Sequence, residues 1–257
     1  MPNQEEFVRE FAEAGSVIVP DVLDPEFTRT AKRELEIAIE SEVRYHGTRE
    51  YNDYGMVLLC SLYGGSFWSL FDNPRLMEPF NAILGAGCTV YAYTSSSMPP
   101  SRANYSRRIH VDCPRIVPGY VTNVGATILL DTFTEENGAT WYLPNSHERV
   151  EAPDDAFFYA NARRVLAPEG SVWFFNARTW HAGGENRSRQ WRHALTINMA
   201  RPWMKQRLDI PRAMAHLDLS GLSATARQKL GFDAQVPASY DEYYAPLEHR
   251  KYKQKPE

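Results

Sequence analysis

Between residues 89 and 200 the chain alternates short apolar segments with turn-forming residues, and this pattern limits the folds open to it. The segments are rich in β-branched and aromatic residues, and Gly, Pro, Asn and Ser separate them. In order they are TVYAYTSSS, RRIHVD, TNVGATILLD, GATWYLP, RRVLAP, GSVWFF and HALTINMA. Many short strands with turns between them are typical of a β-sandwich or β-barrel, which also protects the edges of its sheets.

Apolar residues at helical spacing predict helices in the first part of the chain. Gly15 ends the first helix before a short strand, SVIVP. Asp24 can cap the free amides of the longest helix, and Pro25 suits its first turn. The expected helices cover residues 4–14, 25 to about 43, and about 74–84, and the aromatic stretch 44–68 is expected to be a loop.

Helical patterns in the first part of the chain and strand patterns from residue 89 predict one domain that spans residues 1–257. A helical layer of about residues 1–87 is expected to pack against a β-core of about residues 88–203. A polar, Pro-broken and partly helical C-terminal extension of about residues 204–257 follows. The expected fold class is therefore mainly β with α.

The net charge and the cysteine content limit the partners and the cellular compartment that we expect for this protein. A net charge of −4 gives no reason to expect nucleic acid or an anionic membrane as the main partner. The three cysteines form no disulfide pattern, which indicates a reducing compartment. The amino terminus lacks the basic and apolar regions of a signal peptide, and no apolar run has transmembrane length. We expect a cytoplasmic protein that acts on a small molecule, in an oligomeric state that the sequence does not indicate.

One motif within the strand-rich region carries chemistry. Side chains at positions i and i+2 of a strand project from the same face, so His110 and Asp112 are expected to point together into the barrel. His181, after the segment GSVWFFN, can supply a third ligand. Two histidines and one carboxylate form the facial triad that binds Fe(II) and leaves coordination positions open. Alone, a histidine and a carboxylate two residues apart are a weak pattern, because the pair also occurs by chance.

Arg192 follows His181 by eleven residues, in the segment WRHALTINMA. Its guanidinium offers a fixed fork that can bind a carboxylate at two points. If the metal chelates the keto-acid end of 2-oxoglutarate, Arg192 can hold the far carboxylate. The nearby Arg187 and Arg189 are expected to be exposed strand residues, which is the alternative for Arg192 as well.

With these residues in place, the chain resembles the phytanoyl-CoA dioxygenase family of Fe(II)/2-oxoglutarate-dependent oxygenases. The resemblance runs from about residue 7 to 203, and its most specific segment is TEENGATWYLPNSH, where Asn145 replaces a glycine usual in the family. The other matching segments are FAEAGSVIVPDVLDPEF, IHVD, LLDTF, EGSVWFFNARTWHAGGENRS and QWRHALTINMARPW.

The resemblance implies a double-stranded β-helix (jelly-roll, cupin-like) core under the helical layer. It implies that His110, Asp112 and His181 bind Fe(II), and that Arg192 anchors 2-oxoglutarate in a reaction with O2. Related halogenases have a small residue in place of the carboxylate ligand. The presence of Asp112 therefore disfavours halogenation.

Further contacts follow from the resemblance alone. Thr140 is expected to touch 2-oxoglutarate through its hydroxyl group. Arg107 stands where many members have glutamine, and it can meet the cosubstrate or an acidic substrate instead. Asn52, on the aromatic stretch, is a further candidate contact.

By the same analogy, the segments 45–68 and 113–120 form the rim of the substrate pocket. Arginines on both sides of the metal motif can favour an anionic substrate, unless they form ion pairs on a solvated loop. The candidate substrate contacts are Tyr51, Cys113, Arg115, Trp141 and Trp180, and the flanking arginines are Arg102, Arg107, Arg108 and Arg115.

The favoured function is a dioxygenase that hydroxylates an unactivated C–H bond of a small metabolite, a biosynthetic intermediate, with release of succinate and CO2. Desaturation, cyclisation and epimerisation by the same site remain open. Two further alternatives are a non-catalytic jelly-roll sensor of metal or 2-oxoglutarate, and a cupin-like metalloenzyme that uses no 2-oxoglutarate. In the last case, replacement of Arg192 should leave the activity intact.

Overall fold

A computed structural model of the chain describes residues 3–102 and 105–253. The outermost residues of the expected helical layer and C-terminal extension lie outside these ranges. The α-helices are α1 (Gln4–Ala14), α2 (Pro25–His46), α3 (Ser66–Ser69), α4 (Pro74–Leu84), α5 (Asp155–Asn161), α6 (Ile210–Ala213), α7 (Ala224–Lys229) and α8 (Tyr240–Tyr243). Short 3-10 helices cover Cys60–Tyr63, Leu70–Asp72, Tyr105–Arg107 and Leu247–His249.

The strands form two antiparallel sheets. A five-stranded sheet has the order β1-β6-β3-β8-β2, and a three-stranded sheet has the order β5-β4-β7. The fold is therefore mixed, and pairing within the described ranges leaves the two sheets separate. The strands are β1 (Ser16–Val19), β2 (Thr89–Ser95), β3 (Asn123–Leu129), β4 (Trp141–Tyr142), β5 (Arg163–Arg164), β6 (Val172–Asn176), β7 (His181–Ala182) and β8 (Ala194–Ala200).

Local capping explains why the helices could be predicted. Asp24 accepts hydrogen bonds from the amides of Glu26 and Phe27, which begins α2. Gly47, at φ 71°, ends α2, which is three residues longer than predicted. The predictions for α1 and α4 are confirmed at both ends. The stretch 44–68 is only partly a loop, since α2 enters it and short helical turns lie within it.

The prediction of a strand over RRIHVD is wrong. His110 forms a single isolated bridge with His181, and a 3-10 turn lies just before it. The segment pairs at one residue only because the chain then leaves β7, and the Cys113 amide donates to the Ala177 carbonyl instead. Arg192 was also predicted to lie within a strand, but it precedes β8 and forms an isolated bridge with Met98.

The large sheet has one face toward the helices and one toward a cavity. Phe174 on β6 packs edge-on against Phe7 of α1 and Phe80 of α4, with both ring centroids 5.4 Å away. Its neighbours Trp173 and Phe175 project to the opposite face and line the cavity. The helical layer therefore covers the sheet from behind and leaves its other face for the site. Within the described ranges, no helix is both long and apolar enough to cross a membrane.

β3 and β6 pack closely at Gly125, which is paired with Phe175. A Cβ atom added there would lie 2.2 Å from Cζ of Phe175, whose ring is stacked on Trp173 with centroids 4.2 Å apart. We expect Gly125→Ala to lower the free energy of unfolding by about 1–3 kcal/mol, measured by urea titration, because the Phe175 ring must leave its stacked position to make room for the added methyl group.

Gly87→Ala is the matched control for that variant, since an added Cβ there meets only Pro202 at 3.7 Å. We expect it to change the free energy of unfolding by less than about 0.5 kcal/mol. A Gly125→Ala variant as stable as the control would contradict this packing of β3 on β6.

Candidate active site

His110 and His181 are held side by side by their backbones. The amide of each donates to the carbonyl of the other, at 3.0 and 2.9 Å. Opposite residues of an antiparallel pair carry their side chains on the same face. The two imidazole rings accordingly lie together, with centroids 4.2 Å apart.

Asp112 completes a cluster of three ligand groups. Its Oδ1 atom lies 3.6 Å from Nε2 of His110 and 3.8 Å from Nε2 of His181. One ligand atom from each of the three residues lies within 4.8 Å of the others. Atoms that share a divalent ion at about 2.1 Å lie roughly 3–3.5 Å apart, so small side-chain movements suffice for metal binding.

Both histidines present the nitrogen that a metal requires. Nδ1 of His110 lies 2.7 Å from the Arg108 carbonyl oxygen, and Nδ1 of His181 lies 2.9 Å from that of Thr179. A carbonyl only accepts, so each Nδ1 carries a proton and each Nε2 is the nitrogen directed to a metal. Burial, and then the neighbouring His181, lower the pKa of His110 to about 4. His110 is therefore neutral at neutral pH, which is the form that binds metal.

The second carboxylate oxygen of Asp112 accepts a hydrogen bond from a residue of the large sheet. Asn198 on β8 donates through Nδ2 to Asp112 Oδ2 at 3.3 Å, and Asn123 on β3 donates to the Asn198 side-chain oxygen at 3.1 Å. Both asparagines are buried. This chain of hydrogen bonds leaves Oδ1 directed toward the two histidines.

The triad opens into a cavity of about 130 Å³. Besides the triad, it is lined by Met56, Tyr91, Ala92, Thr94, Ser95, Ser96, Ser106, Thr127, Thr140, Trp173, Phe175, Gly183, Arg192, Thr196, Asn198 and Arg207. Most of the strand residues among them are two apart in sequence, as Thr196 and Asn198 are, because alternate residues share a face.

Arg192 brings a buried cation into this cavity. The side chain is fully buried, donates to the carbonyls of Gly138 and Ser96 at 2.9 and 2.6 Å, and lies over the Phe133 ring. Its Nε atom is buried without a hydrogen-bond partner in the described structure. Burial lowers the pKa of Arg192 to about 10, so the group stays charged at neutral pH. No described carboxylate lies within ion-pair distance of Arg192, and an anionic ligand would offset the cost of its burial.

Thr140 lines the cavity together with Arg192 and the triad. Arg107 and Asn52 are exposed and lie outside the lining formed by the described residues. The side chain of Arg107 projects to the surface because the 3-10 turn, rather than a strand, sets its direction.

The predicted substrate contacts also lie outside this lining. Tyr51 stacks on His46, and Cys113 lies 3.7 Å from the Thr122 hydroxyl. Trp141 lies under the Arg164 guanidinium. Arg115 is exposed, and Trp180 is half-buried against a small apolar cluster that includes Phe158.

Several lining residues were missed in the sequence. Thr196 and Asn198 are polar residues two apart in an otherwise apolar strand, and Thr127 interrupts β3 in the same way. That alternation was a signal that could have identified the cavity face. Arg207 had no such signal, because it follows the strands.

Relatives of the chain are found among curated proteins. It is 29% identical to an uncharacterized protein of Mycobacterium tuberculosis over 247 residues, which covers 93% of this chain and 90% of the relative. It is also 26% identical over 132 residues to the protein "Dioxygenase af480" of Aspergillus fumigatus, covering 47% of this chain and 40% of that protein.

Solved structures show the same fold. AviO1 from Streptomyces viridochromogenes matches with a TM-score of 0.63 and 22% identity, over 80% of this chain and 98% of AviO1. EvdMO1 matches with a TM-score of 0.60 and 24% identity, over 77% of this chain and half of EvdMO1. The family model of phytanoyl-CoA dioxygenase (PhyH) matches residues 11–194. The chain therefore belongs to the PhyH family, as a dioxygenase that carries a His-Asp-His facial triad.

Proposed function

We propose that this protein hydroxylates an unactivated C–H bond of a small metabolite, a biosynthetic intermediate, and converts 2-oxoglutarate to succinate and CO2. Family membership implies Fe(II) and 2-oxoglutarate. The observation that carries the proposal is one cavity that contains both the triad and the buried Arg192. It supplies ligands for a metal and a cation for a dicarboxylate in the same space.

The ligand residues fit Fe(II). Two imidazoles and a carboxylate on one side of an ion leave its other positions free for small ligands. When bound, Fe(II) with 2-oxoglutarate and O2 supplies the oxidising chemistry. His110, Asp112 and His181 hold the ion in place, and Asn198 keeps the carboxylate turned toward it.

Arg192 is proposed to bind the far carboxylate of 2-oxoglutarate, with Thr140 as a second contact. The backbone carbonyls of Gly138 and Ser96 fix the guanidinium from behind. A buried, preorganised fork loses little entropy when a carboxylate binds. Arg107 and Asn52 stay weaker candidates for cosubstrate contact, since both are exposed.

The aromatic residues of the cavity keep water from the reacting atoms. The Phe175 ring lies 5.2 Å from that of His181, and the Trp173 ring lies 6.0 Å from it. They form an apolar wall beside the ligands, where a C–H bond can be held.

We further propose that the two antiparallel sheets are the halves of a double-stranded β-helix, as the family implies. The three free cysteines fit the proposed cytoplasmic location.

Other outcomes of the same site follow from where the substrate lies. Desaturation, cyclisation or epimerisation would appear as a two-hydrogen loss or no mass change, whereas hydroxylation adds one oxygen. A sensor would bind 2-oxoglutarate without turnover. A carboxylate at position 112 fits oxygenation rather than halogenation.

The first test is turnover. With Fe(II), O2 and ascorbate, the wild type is expected to form succinate from 2-oxoglutarate, stimulated by one class of small molecule that gains an oxygen in mass spectrometry. His181→Ala should lower the rate about 100-fold or more, because it removes a metal ligand. His216→Ala, at an exposed position away from the cavity, is the control and should keep the wild-type rate. A His181→Ala variant with the wild-type rate would refute the proposal.

The second test addresses Arg192. Arg192→Gln is expected to weaken 2-oxoglutarate binding about tenfold or more while metal affinity changes little, because a charge-assisted contact is lost. Arg192→Lys should recover part of that affinity through its charge. Arg189→Gln, at an exposed arginine, is the matched control.

Both constants can be measured by anaerobic titration, and circular dichroism would verify folding. Unchanged 2-oxoglutarate affinity in Arg192→Gln would contradict this role of Arg192, and turnover that needs no 2-oxoglutarate would favour a cupin-like enzyme.

The third test addresses the support of Asp112. Asn198→Leu removes the donor to Oδ2, and we expect it to weaken Fe(II) binding about 10–100-fold, as loss of a hydrogen bond to a ligand does elsewhere. Thr196→Val changes the same face of β8 without touching Asp112 and should bind Fe(II) like the wild type. Equal affinities for the two variants would show that Asn198 does not position the ligand.

A further inference from the structure

Two arginines lie at opposite ends of the same cavity wall. Strand β2 and the residue after it supply this wall, from Tyr91 to Ser96. Arg192 donates to the Ser96 carbonyl at one end, and the backbone amide of Arg207 donates to the Tyr91 carbonyl at the other. Five residues of extended chain span about 16 Å. Among the described residues, these two arginines are the only basic side chains of the lining apart from the triad histidines.

Asp112 of the triad is held at a point of this wall between the two arginine contacts. Asn198, which holds Asp112, is paired with Ala92 on β2, next to Tyr91. The carboxylate ligand is therefore nearer to the Arg207 end of the wall than to the Arg192 end. A molecule that contacts Arg207 can reach the metal position from the side opposite the cosubstrate.

The backbone of Arg207 is held by hydrogen bonds, whereas its side chain is exposed. Its backbone is tied to Tyr91, and the side chain of the preceding Gln206 donates to the carbonyls of Val90 and Leu230 at 2.8 and 3.0 Å. The Arg207 side chain is exposed, and its guanidinium has no hydrogen-bond or ion-pair partner in the described part of the chain. A cation at a fixed position on a cavity mouth, without an internal partner, is suited to an external anion.

The size of the cavity places the substrate at this mouth. A cavity of about 130 Å³ is close to one that holds a single benzene ring. The cosubstrate beside Arg192 fills such a space, so the substrate extends outward past the triad. The arginines around the metal motif lie outside the described lining, of which Arg207 is part; they are Arg102, Arg107, Arg108 and Arg115.

We propose that Arg207 binds an anionic group of the substrate, a carboxylate or a phosphate, and so holds one C–H bond at the triad. The inference rests on the proposed function and adds the substrate class to it. Arg207 lies beyond residue 194, where the match to the family model ends. The C-terminal extension thus contributes the residue that selects the substrate. Exposed Leu58 and Leu208 adjoin Arg207 and can receive an apolar part of the same molecule.

The experiment uses the full-length protein with Fe(II) and saturating 2-oxoglutarate, which occupies Arg192. The probes are benzoate, phenylacetate and phenyl phosphate, each beside a neutral partner: methyl benzoate, methyl phenylacetate and phenol. Their anaerobic binding is followed by the change in the visible band of the Fe(II)–2-oxoglutarate complex. The variants are Arg207→Gln, Arg207→Lys and, as the matched control, Arg212→Gln, an exposed arginine of the same extension outside the cavity.

We expect the anions to bind the wild type and Arg212→Gln at least about tenfold more tightly than they bind Arg207→Gln. Arg207→Lys should recover part of the affinity, and 2-oxoglutarate affinity should be equal in all four proteins. The better class of anion identifies a carboxylate or a phosphate as the group recognised. Neutral partners that bind as well as the anions, an Arg207→Gln variant that binds anions like the wild type, or no anion binding at all would overturn the inference. Absence of the band in the wild type would instead count against the proposed function.

Discussion

Two backbone hydrogen bonds between His110 and His181 are the interaction on which the site depends. They join a segment that is not a strand to the edge of the small sheet, and they place two imidazoles on one face. Asp112 then reaches the same point from two residues further on, with its other oxygen held by Asn198. The metal position thus lies where the small sheet, the loop after residue 107 and strand β8 meet.

The positions of the charged side chains determine which ligands the cavity can bind. At one end Arg192 is buried and held by carbonyls, and no carboxylate of the described residues lies within ion-pair distance of it. At the other end Arg207 is exposed and belongs to the C-terminal extension. Gln206 fastens this extension to β2, and the buried Gln228 fastens it to Cys88 just before that strand. The closed end suits a cosubstrate of constant structure. The open end suits a substrate that differs between enzymes of one fold.

The helices could be predicted because their signals are local: Asp24 caps α2, and α4 has the predicted bounds. The motif at His110 and Asp112 was visible for the same reason. The prediction that a strand brings these two side chains to one face was wrong, because a bridge to a distant segment aligns them instead. Asn198 was missed because its position opposite Asp112 depends on the register of β8 against β2 and β3. The candidate substrate contacts rested on analogy with the family, which does not show which side of a loop faces a cavity in this chain.

The most direct measurement of the central claim is an anaerobic titration of the Fe(II)-loaded wild-type protein with 2-oxoglutarate. One site that binds both the metal and the dicarboxylate predicts a visible charge-transfer band that saturates at a single equivalent of 2-oxoglutarate. The same titration of His110→Ala should give no band. A wild-type protein without the band, or a band that persists in His110→Ala, would contradict the account of the triad and Arg192 as one site.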